Sequence, residues 1–176
     1  MKQKLEAAKT SLSDLDLQLS KNLNDLLVQL YSEKFSHGFK LGVYMPMKFE
    51  PKWMSSNRSN FVTEHLLVHM HEEVHLTYHA VEFEKILTND YGQKLELDVL
   101  KDIRVPDVIL IPGLAYTRSG ERLGRGRAYF DSFLKDFKGV KIGVFYSLQE
   151  VENVYREKHD VSLDYIVTEK EIIRGK

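Results

Sequence analysis

The chain contains no cysteine, which excludes disulfides, a thiolate nucleophile and a Cys-based zinc site. No apolar run approaches the roughly 20 residues that a membrane span needs, and the first residues lack the apolar core of a signal peptide. A charge excess is also missing, since 25 Lys and Arg oppose 26 Asp and Glu. Attraction of the whole chain to nucleic acid or anionic lipid is therefore not expected. We predict a cytoplasmic protein.

The 176 residues, of which 43% are hydrophobic, favour a single globular domain over residues 1–176. Leucines at 12, 15, 19, 23, 26 and 30 predict an amphipathic helix over Leu12 to Tyr31. Its stripe indicates core packing, with a coiled-coil partner as the alternative. Serines at 11 and 13, just before Asp14 and Asp16, are typical of a helix N-cap region.

Short apolar runs alternate with helical patterns along the rest of the chain. Predicted strands are Leu41 to Met45, Val74 to Phe83 (one or two strands), Val108 to Ile111, Lys141 to Tyr146 and Tyr165 to Thr168; predicted helices include Phe61 to Met70 and Leu148 to Tyr155. Continuous apolar strands indicate a parallel sheet. The expected fold is α/β, a single-domain layered structure with a mostly parallel central sheet flanked by helices, Rossmann-like, and with ligands beyond the carboxyl ends of the strands.

Residues 106–134 contain a turn that suits a polyphosphate. Four arginines there supply cations that do not titrate, and two glycines permit close approach of backbone N–H groups; these residues are Arg118, Arg122, Arg125, Arg127, Gly124 and Gly126. A helix that begins near Ala128 would direct its positive end toward the same place. The turn lacks a complete P-loop motif, so a solvated basic loop or a protein-docking patch remains open.

Carboxylates and histidines near these segments allow two readings each. Asp131 could hold Mg²⁺ beside a polyphosphate, or it could be a first-turn aspartate stabilised by the helix dipole. His65 and His69 are four residues apart on a predicted helix, which could hold a metal, but a surface helix is favoured because no HExxH motif is present. His159 and Asp160 suit a helix-ending turn or a metal-facing carboxylate.

The segment PGLAYTRSGERLGRGRAYFDSFL at 112–134 resembles the PGLAFDxxGxRLGxGxGYYDxxL signature of 5-formyltetrahydrofolate cyclo-ligases, also called methenyltetrahydrofolate synthetases. YMPMKFE at 44–50 is similar to the strand and loop that end in the family's substrate-facing glutamate. GVFYSLQEV and KHDVSLDYIVTE resemble its C-terminal stretches. The resemblance implies an ATP- and Mg²⁺-dependent ring closure of 5-formyltetrahydrofolate to 5,10-methenyltetrahydrofolate, with release of ADP and phosphate.

The same resemblance implies roles for individual residues. Contacts to ATP would come from Lys2, Arg122, Gly124, Arg125, Gly126, Arg127 and Phe130. Asp131 and Asp160 would hold Mg²⁺, Met45, Glu50 and Tyr129 would line the folate site, and Arg125, Arg127 and Tyr129 are the catalytic candidates. The implied partners are small molecules, reduced folate and ATP, with no nucleic acid or membrane, and the protein is expected to be a monomer.

Four positions depart from the family pattern. Ala128 replaces a glycine, Phe130 replaces the second tyrosine, Thr117 replaces an aspartate, and Glu6 stands where the family's N-terminal motif has an arginine. These departures motivate a second hypothesis, a paralogue that keeps a nucleotide site but acts on another substrate. A third is a non-catalytic module whose arginine turn docks an acidic protein or RNA.

Overall fold

A long amphipathic helix is followed by alternating strands and shorter helices. The computed structural model describes residues 12–54, 59–87, 103–154 and 161–176. The helices are α1 (Leu12–Lys34), α2 (Phe83–Leu87) and α3 (Tyr129–Leu134), with a 3₁₀ helix at Ser147–Gln149. The strands are β1 (Phe39–Val43), β2 (Val62–Met70), β3 (Leu76–Val81), β4 (Val108–Ile111), β5 (Ala115–Tyr116), β6 (Arg122–Leu123), β7 (Val140–Val144), β8 (Tyr165–Val167) and β9 (Ile172–Arg174).

Within the described residues, seven strands form one sheet in the order β3-β2-β1-β4-β7-β8-β9, and β5 and β6 form a separate hairpin. The five inner strands run parallel, whereas β3 and β9 are antiparallel at the two edges. A strand covered on both faces can be apolar at every position, and all four residues of β4 are buried. The predicted α/β fold with a mostly parallel sheet is confirmed.

Two cores cover the two faces of this sheet. Successive strand residues point to opposite faces, so Val108 and Leu110 pack with the leucines of α1, while Ile109 and Ile111 pack with Phe130 and other residues around α3. The α1 leucines at 19, 23, 26, 27 and 30 are buried. The leucine stripe is therefore a core-packing face, as predicted.

The order of the strands creates a crevice between β1 and β4. From β1 the chain adds β2 on one side, and the later strands β4, β7 and β8 extend the sheet on the other side. This reversal is a topological switch point, where the loops that follow two adjacent parallel strands diverge and leave room for a ligand. The segments after Val43 and Ile111 border that room.

The predicted helix at Phe61 to Met70 is wrong, because this segment is strand β2. Residues four apart share a face in a strand as well as in a helix, so the spacing of His65 and His69 did not distinguish the two. The segment is bonded along one side to β1 and along the other to β3. Hydrogen bonds to a partner strand on each side decide its conformation, and β1 comes from an earlier part of the chain.

The predicted helix at Leu148 to Tyr155 is also wrong over its described part. The helical turn ends at Gln149, and Glu150 has an extended backbone. The Val151 N–H donates to the Tyr116 carbonyl at 2.9 Å, so this segment is attached to the β5–β6 hairpin instead of continuing a helix. Residue 155 lies outside the described residues.

The other predicted elements match to within three residues at their ends, and the largest difference is the end of α1, which was predicted at Tyr31 and lies at Lys34. The strand predicted at Leu41 to Met45 is β1, and Val74 to Phe83 contains the single strand β3. No helix in the described part of the chain is long and apolar enough to cross a membrane.

Candidate functional site

The arginine turn follows the carboxyl end of β4. After Ile111 the chain forms the β5–β6 hairpin, passes through residues 124–128 and enters α3. The first part of the turn is braced from below, because the buried Gln149 side chain donates to the carbonyls of Gly113 at 3.0 Å and Leu114 at 3.2 Å. The turn thus lies at the switch point, where ligands were expected.

Glu50 and Arg125, predicted from two separate motifs, meet in this crevice. The Arg125 guanidinium donates to Glu50 Oε1 from Nη2 at 2.8 Å and from Nε at 3.1 Å. The other carboxylate oxygen, Oε2, accepts from the Met47 N–H at 2.8 Å. The Glu50 side chain is 5% exposed and that of Arg125 is 41% exposed. The pair places a buried acceptor and an accessible cation side by side.

Arg122 forms a second ion pair below the turn. Its side chain is 4% exposed, donates to Asp131 and to the Pro112 carbonyl, and lies over the Phe130 ring at 5.6 Å. Asp131 retains 28% exposure. Arg122 therefore serves chiefly to hold the turn against α3, and Asp131 would have to share its carboxylate between this arginine and a metal ion.

The backbone of the turn is open where a ligand would approach. Gly126 has φ +82°, and a Cβ built there would meet no atom within 4 Å. Ala128, at the position of a glycine in the resembled signature, has φ +54°, a left-handed conformation that costs an L-residue with a Cβ about 1–2 kcal/mol. Ala128 also caps α3 without a side-chain hydrogen bond.

The remaining aromatic and basic candidates are in different environments. Arg127 is exposed and makes no ion pair with a described residue, whereas Tyr129 is half-buried. Phe130 is 6% exposed within the core on the α3 side of the sheet, so its ring contacts the protein interior. Met45 packs partly buried beside the other core.

Arg118 is engaged elsewhere. Its guanidinium donates to both oxygens of Glu171, at 2.9 and 2.8 Å, and to Glu150 at 3.2 Å. The arginine lowers the pKa of Glu171 through this hydrogen bonding. Although the sequence suggested it as a phosphate contact, Arg118 ties the β5–β6 hairpin to the turn between β8 and β9.

The predicted metal site is seen only in part. Asp160 lies outside the described residues, as does the predicted ATP contact Lys2. Among the residues that are described, no group of three or more His, Asp or Glu side chains is arranged to hold a metal ion. A single carboxylate can suffice beside a polyphosphate, because Mg²⁺ takes its other ligands from water and phosphate.

Four histidines, at positions 69, 71, 75 and 79, form a cluster away from the crevice, on the β2–β3 edge. His69 and His71 have ring centroids 4.7 Å apart, and His71 stacks on His75 at 4.1 Å. Thr77 Oγ1 lies 2.8 Å from His71 Nε2 and 2.7 Å from His79 Nε2. His65 and His69 lie on strand β2, so the favoured interpretation of these two residues as part of a surface helix is wrong.

Asp16 is a buried polar residue near the site. The sequence predicted it to lie in the N-cap region of a helix. It is 4% exposed and accepts hydrogen bonds from the Tyr146 hydroxyl and the Lys52 N–H. A signal was present, since Asp16 is four residues after Leu12 and three before Leu19, on the face of the leucine stripe. A carboxylate at a core position of an amphipathic helix indicates a buried partner.

Comparison with known proteins identifies relatives of one kind. A model of the 5-formyltetrahydrofolate cyclo-ligase family matches residues 42–169. The protein named 5-formyltetrahydrofolate cyclo-ligase, mitochondrial, of Arabidopsis thaliana is 31% identical over 133 residues, covering 69% of this chain and 47% of the relative. The 5-formyltetrahydrofolate cyclo-ligase of Saccharomyces cerevisiae is 28% identical over 118 residues, covering 60% of this chain and 56% of the relative. The chain thus spans about half the length of these two proteins.

Solved structures share the fold. A 5,10-methenyltetrahydrofolate synthetase from Mycoplasma pneumoniae superposes with a TM-score of 0.65 at 18% identity, over 91% of this chain and 88% of that one. The NMR structure of the Aquifex aeolicus 5,10-methenyltetrahydrofolate synthetase gives a TM-score of 0.57 at 29% identity, over 89% and 80% of the two chains. The first likeness shows the fold alone.

Proposed function

This chain belongs to the 5-formyltetrahydrofolate cyclo-ligase family, and we propose that it converts 5-formyltetrahydrofolate to 5,10-methenyltetrahydrofolate with ATP and Mg²⁺, releasing ADP and phosphate. The observation that carries the proposal is the pairing of Glu50 with Arg125 at the switch point between β1 and β4. The Glu50 carboxylate, which is suited to bind a folate ring, forms an ion pair with the Arg125 guanidinium, which is suited to bind a phosphoryl group. The proposal extends to a monomeric, cytoplasmic enzyme.

The reaction needs alignment and charge neutralisation more than a covalent nucleophile. The formyl oxygen attacks the γ-phosphorus of ATP and ADP leaves. Attack of the folate N10 on the activated formyl carbon then closes the ring, and departure of phosphate with loss of the N10 proton gives the methenyl product. Each step requires the formyl group, N10 and the γ-phosphoryl group to be held together in the same crevice.

Side chains of the turn supply the cations for the phosphoryl transfer. Arg125 and Arg127 are exposed and lie on either side of Gly126. The space around Gly126 would allow a phosphate to approach the backbone. Fixed positive charges aimed at developing negative charge lower the barrier without reorganisation. Bound Mg²⁺ would neutralise further phosphate charge, and Asp131 with Asp160 would hold it.

Glu50 is suited to orient the folate. Because one of its oxygens is occupied by the Met47 N–H, the carboxylate is held in a fixed orientation. Oε1, which carries the Arg125 contacts, is the oxygen that would accept from N–H groups of the pteridine ring. Met45 and Tyr129 would add apolar and aromatic surface beside it.

Product formation tests the proposal. Purified protein is mixed with 5-formyltetrahydrofolate, Mg²⁺ and ATP, and methenyltetrahydrofolate is followed by its near-ultraviolet absorbance, with ATP omitted as the control. We expect product only when ATP is present. Binding of Mg-ATP with defined stoichiometry but without product would favour the divergent paralogue. Salt-sensitive binding of any polyanion, without product, would favour the docking module.

A further inference from the structure

Asp16 is an ionisable residue buried in the apolar face of α1. It is 4% exposed, and the neighbouring buried positions of the helix are Leu19, Ser20 and Leu23. Burying a carboxylate costs several kcal/mol unless hydrogen bonds replace the lost water. The position of its partners therefore indicates what this carboxylate does.

Helix α1 holds the backbone of Lys52 through both its N–H and its carbonyl group. Asp16 Oδ1 accepts from the Lys52 N–H at 3.0 Å, and the Ser20 hydroxyl donates to the Lys52 carbonyl at 3.2 Å. Next along the chain, the Trp53 indole N–H donates to the Tyr44 carbonyl at 2.9 Å, which returns the loop to the end of β1. Glu50 lies between these anchors.

The same carboxylate oxygen contacts a second loop. The Tyr146 hydroxyl donates to Asp16 Oδ1 at 2.6 Å, and Tyr146 follows β7 by two residues. The Tyr146 N–H donates to Gln149 Oε1 at 2.8 Å, and Gln149 in turn donates to the Gly113 carbonyl after β4. Asp16 thereby links the loops after β1 and β7 directly, and it reaches the loop after β4 through Gln149.

These three loops follow the adjacent strands β1, β4 and β7 and surround the crevice. We propose that Asp16 is a positioning residue, which holds the loop after β1 against α1 and the Tyr146 loop so that Glu50 faces Arg125 and can receive the reduced folate. The inference rests on the proposed function and assigns to the leucine helix a role in the folate subsite.

The energetics of Asp16 support a functional role over a purely stabilising one. Burial raises the pKa of the Asp16 carboxyl, although the hydrogen bonds from Tyr146 and Lys52 and the charge of Lys52 act in the opposite direction. A raised pKa means that the folded state favours the neutral acid more than the unfolded state does. Ionisation of Asp16 at neutral pH therefore costs more free energy in the folded state than in the unfolded state.

The test compares Asp16→Ala with Asp16→Asn, and Asp14→Ala is the matched control because Asp14 is exposed on the same helix. Alanine removes both hydrogen bonds, while asparagine keeps an oxygen that can accept them. For Asp16→Ala we expect the KM for 5-formyltetrahydrofolate to rise about tenfold, as loss of a hydrogen bond to a charged group predicts, with the KM for ATP changed less than about twofold. Asp16→Asn and Asp14→Ala should retain the wild-type folate KM.

A second readout does not depend on turnover. Trp53 is the single tryptophan of the chain and adjoins Lys52, so its emission should shift to longer wavelength in Asp16→Ala as the loop becomes more exposed. An unchanged folate KM in folded Asp16→Ala would overturn the proposal. If the wild-type protein shows no turnover, the proposed function fails, and unchanged Trp53 emission in the variant would separately overturn the positioning role. Should Asp16→Ala not fold, Tyr146→Phe removes the hydrogen bond between Asp16 and the second loop; a smaller rise in the folate KM is then expected, and an unchanged folate KM would overturn the proposal.

Discussion

At the scale of single residues, the candidate site depends on one exposed arginine beside one buried carboxylate. Both were predicted from motifs, Glu50 from the end of the loop after the first strand and Arg125 from the glycine-arginine turn. Their contact could not be predicted, because the two residues are 75 positions apart and meet only through the order of strands in the sheet. Asp16 was not predicted, although its position within the leucine stripe pointed to burial.

Replacing Arg125 should remove a cation from the phosphoryl-transfer step. Arg125→Ala is expected to lower kcat by about 10²- to 10³-fold, the effect of losing one preorganised group that stabilises transition-state charge. Steady-state kinetics with circular dichroism as a check on folding measure this. Arg174→Ala is the matched control, because Arg174 is exposed on the edge strand β9. Full activity in folded Arg125→Ala would remove this residue from the site.

Ala128 should lower stability through its backbone. Ala128→Gly is expected to raise the free energy of unfolding by about 1 kcal/mol, because glycine adopts φ +54° without the Cβ penalty. The reciprocal variant is Gly126→Ala, which introduces a Cβ into open space at φ +82° and should lose about 1 kcal/mol from the backbone alone. Urea unfolding measures both, and equal stability of Ala128→Gly and the wild type would argue against the strain.

The carboxyl of Asp16 should give stability a recognisable pH dependence. With a folded-state pKa above the unfolded value, its contribution is fully present below the unfolded pKa and is lost as pH rises through the folded pKa. Asp16→Asn should therefore flatten the decline in stability above the unfolded aspartate pKa of about 3.9. Urea midpoints across a pH series measure the difference, and parallel wild-type and variant curves would contradict it.

At the scale of elements, local pattern was sufficient where the spacing or continuity of the apolar residues itself distinguishes a helix from a strand. The leucine stripe of α1 and the apolar run of β4 each indicate a buried element, so both were predicted. β2 was mistaken for a helix because its identity depends on β1 and β3. Gln149 ends its helical turn because the following residues attach to the β5–β6 hairpin.

A recurring aspartate aligns the starts of parallel strands. Asp107, just before β4, accepts from the Lys40 N–H of β1 at 2.8 Å, and Asp164, just before β8, accepts from the Lys141 N–H of β7 at 2.8 Å. These carboxylates satisfy N–H groups where the sheet ladder begins. Their regular placement at strand starts identifies them as structural residues.

Removal of one such aspartate should lower stability. Asp107→Ala is expected to reduce the free energy of unfolding by about 1–3 kcal/mol, the cost of leaving a partly buried N–H without its charged acceptor. The exposed Asp136 provides the matched control, since Asp136→Ala should change stability by less than about 0.5 kcal/mol. Chemical denaturation of both variants measures the difference, and similar losses in the two would remove the capping role.

At the scale of the whole molecule, the sheet decides where chemistry can occur. The strand order leaves a crevice between the carboxyl ends of β1 and β4, and the loops that border it carry Glu50 and the arginine turn. The general location was predictable from alternating strands and helices. The bracing through Asp16, Tyr146 and Gln149 was not, because it depends on three loops that are adjacent only after the sheet forms.

We propose that Glu50 and Arg125 act as one site for the folate and the phosphoryl group. A double-mutant cycle on kcat/KM for 5-formyltetrahydrofolate tests it most directly, using wild type, Glu50→Gln, Arg125→Ala and the double variant. We expect non-additive losses, with a coupling free energy above about 0.5 kcal/mol, as residues in contact within one network show. Losses that add within error would contradict a shared site.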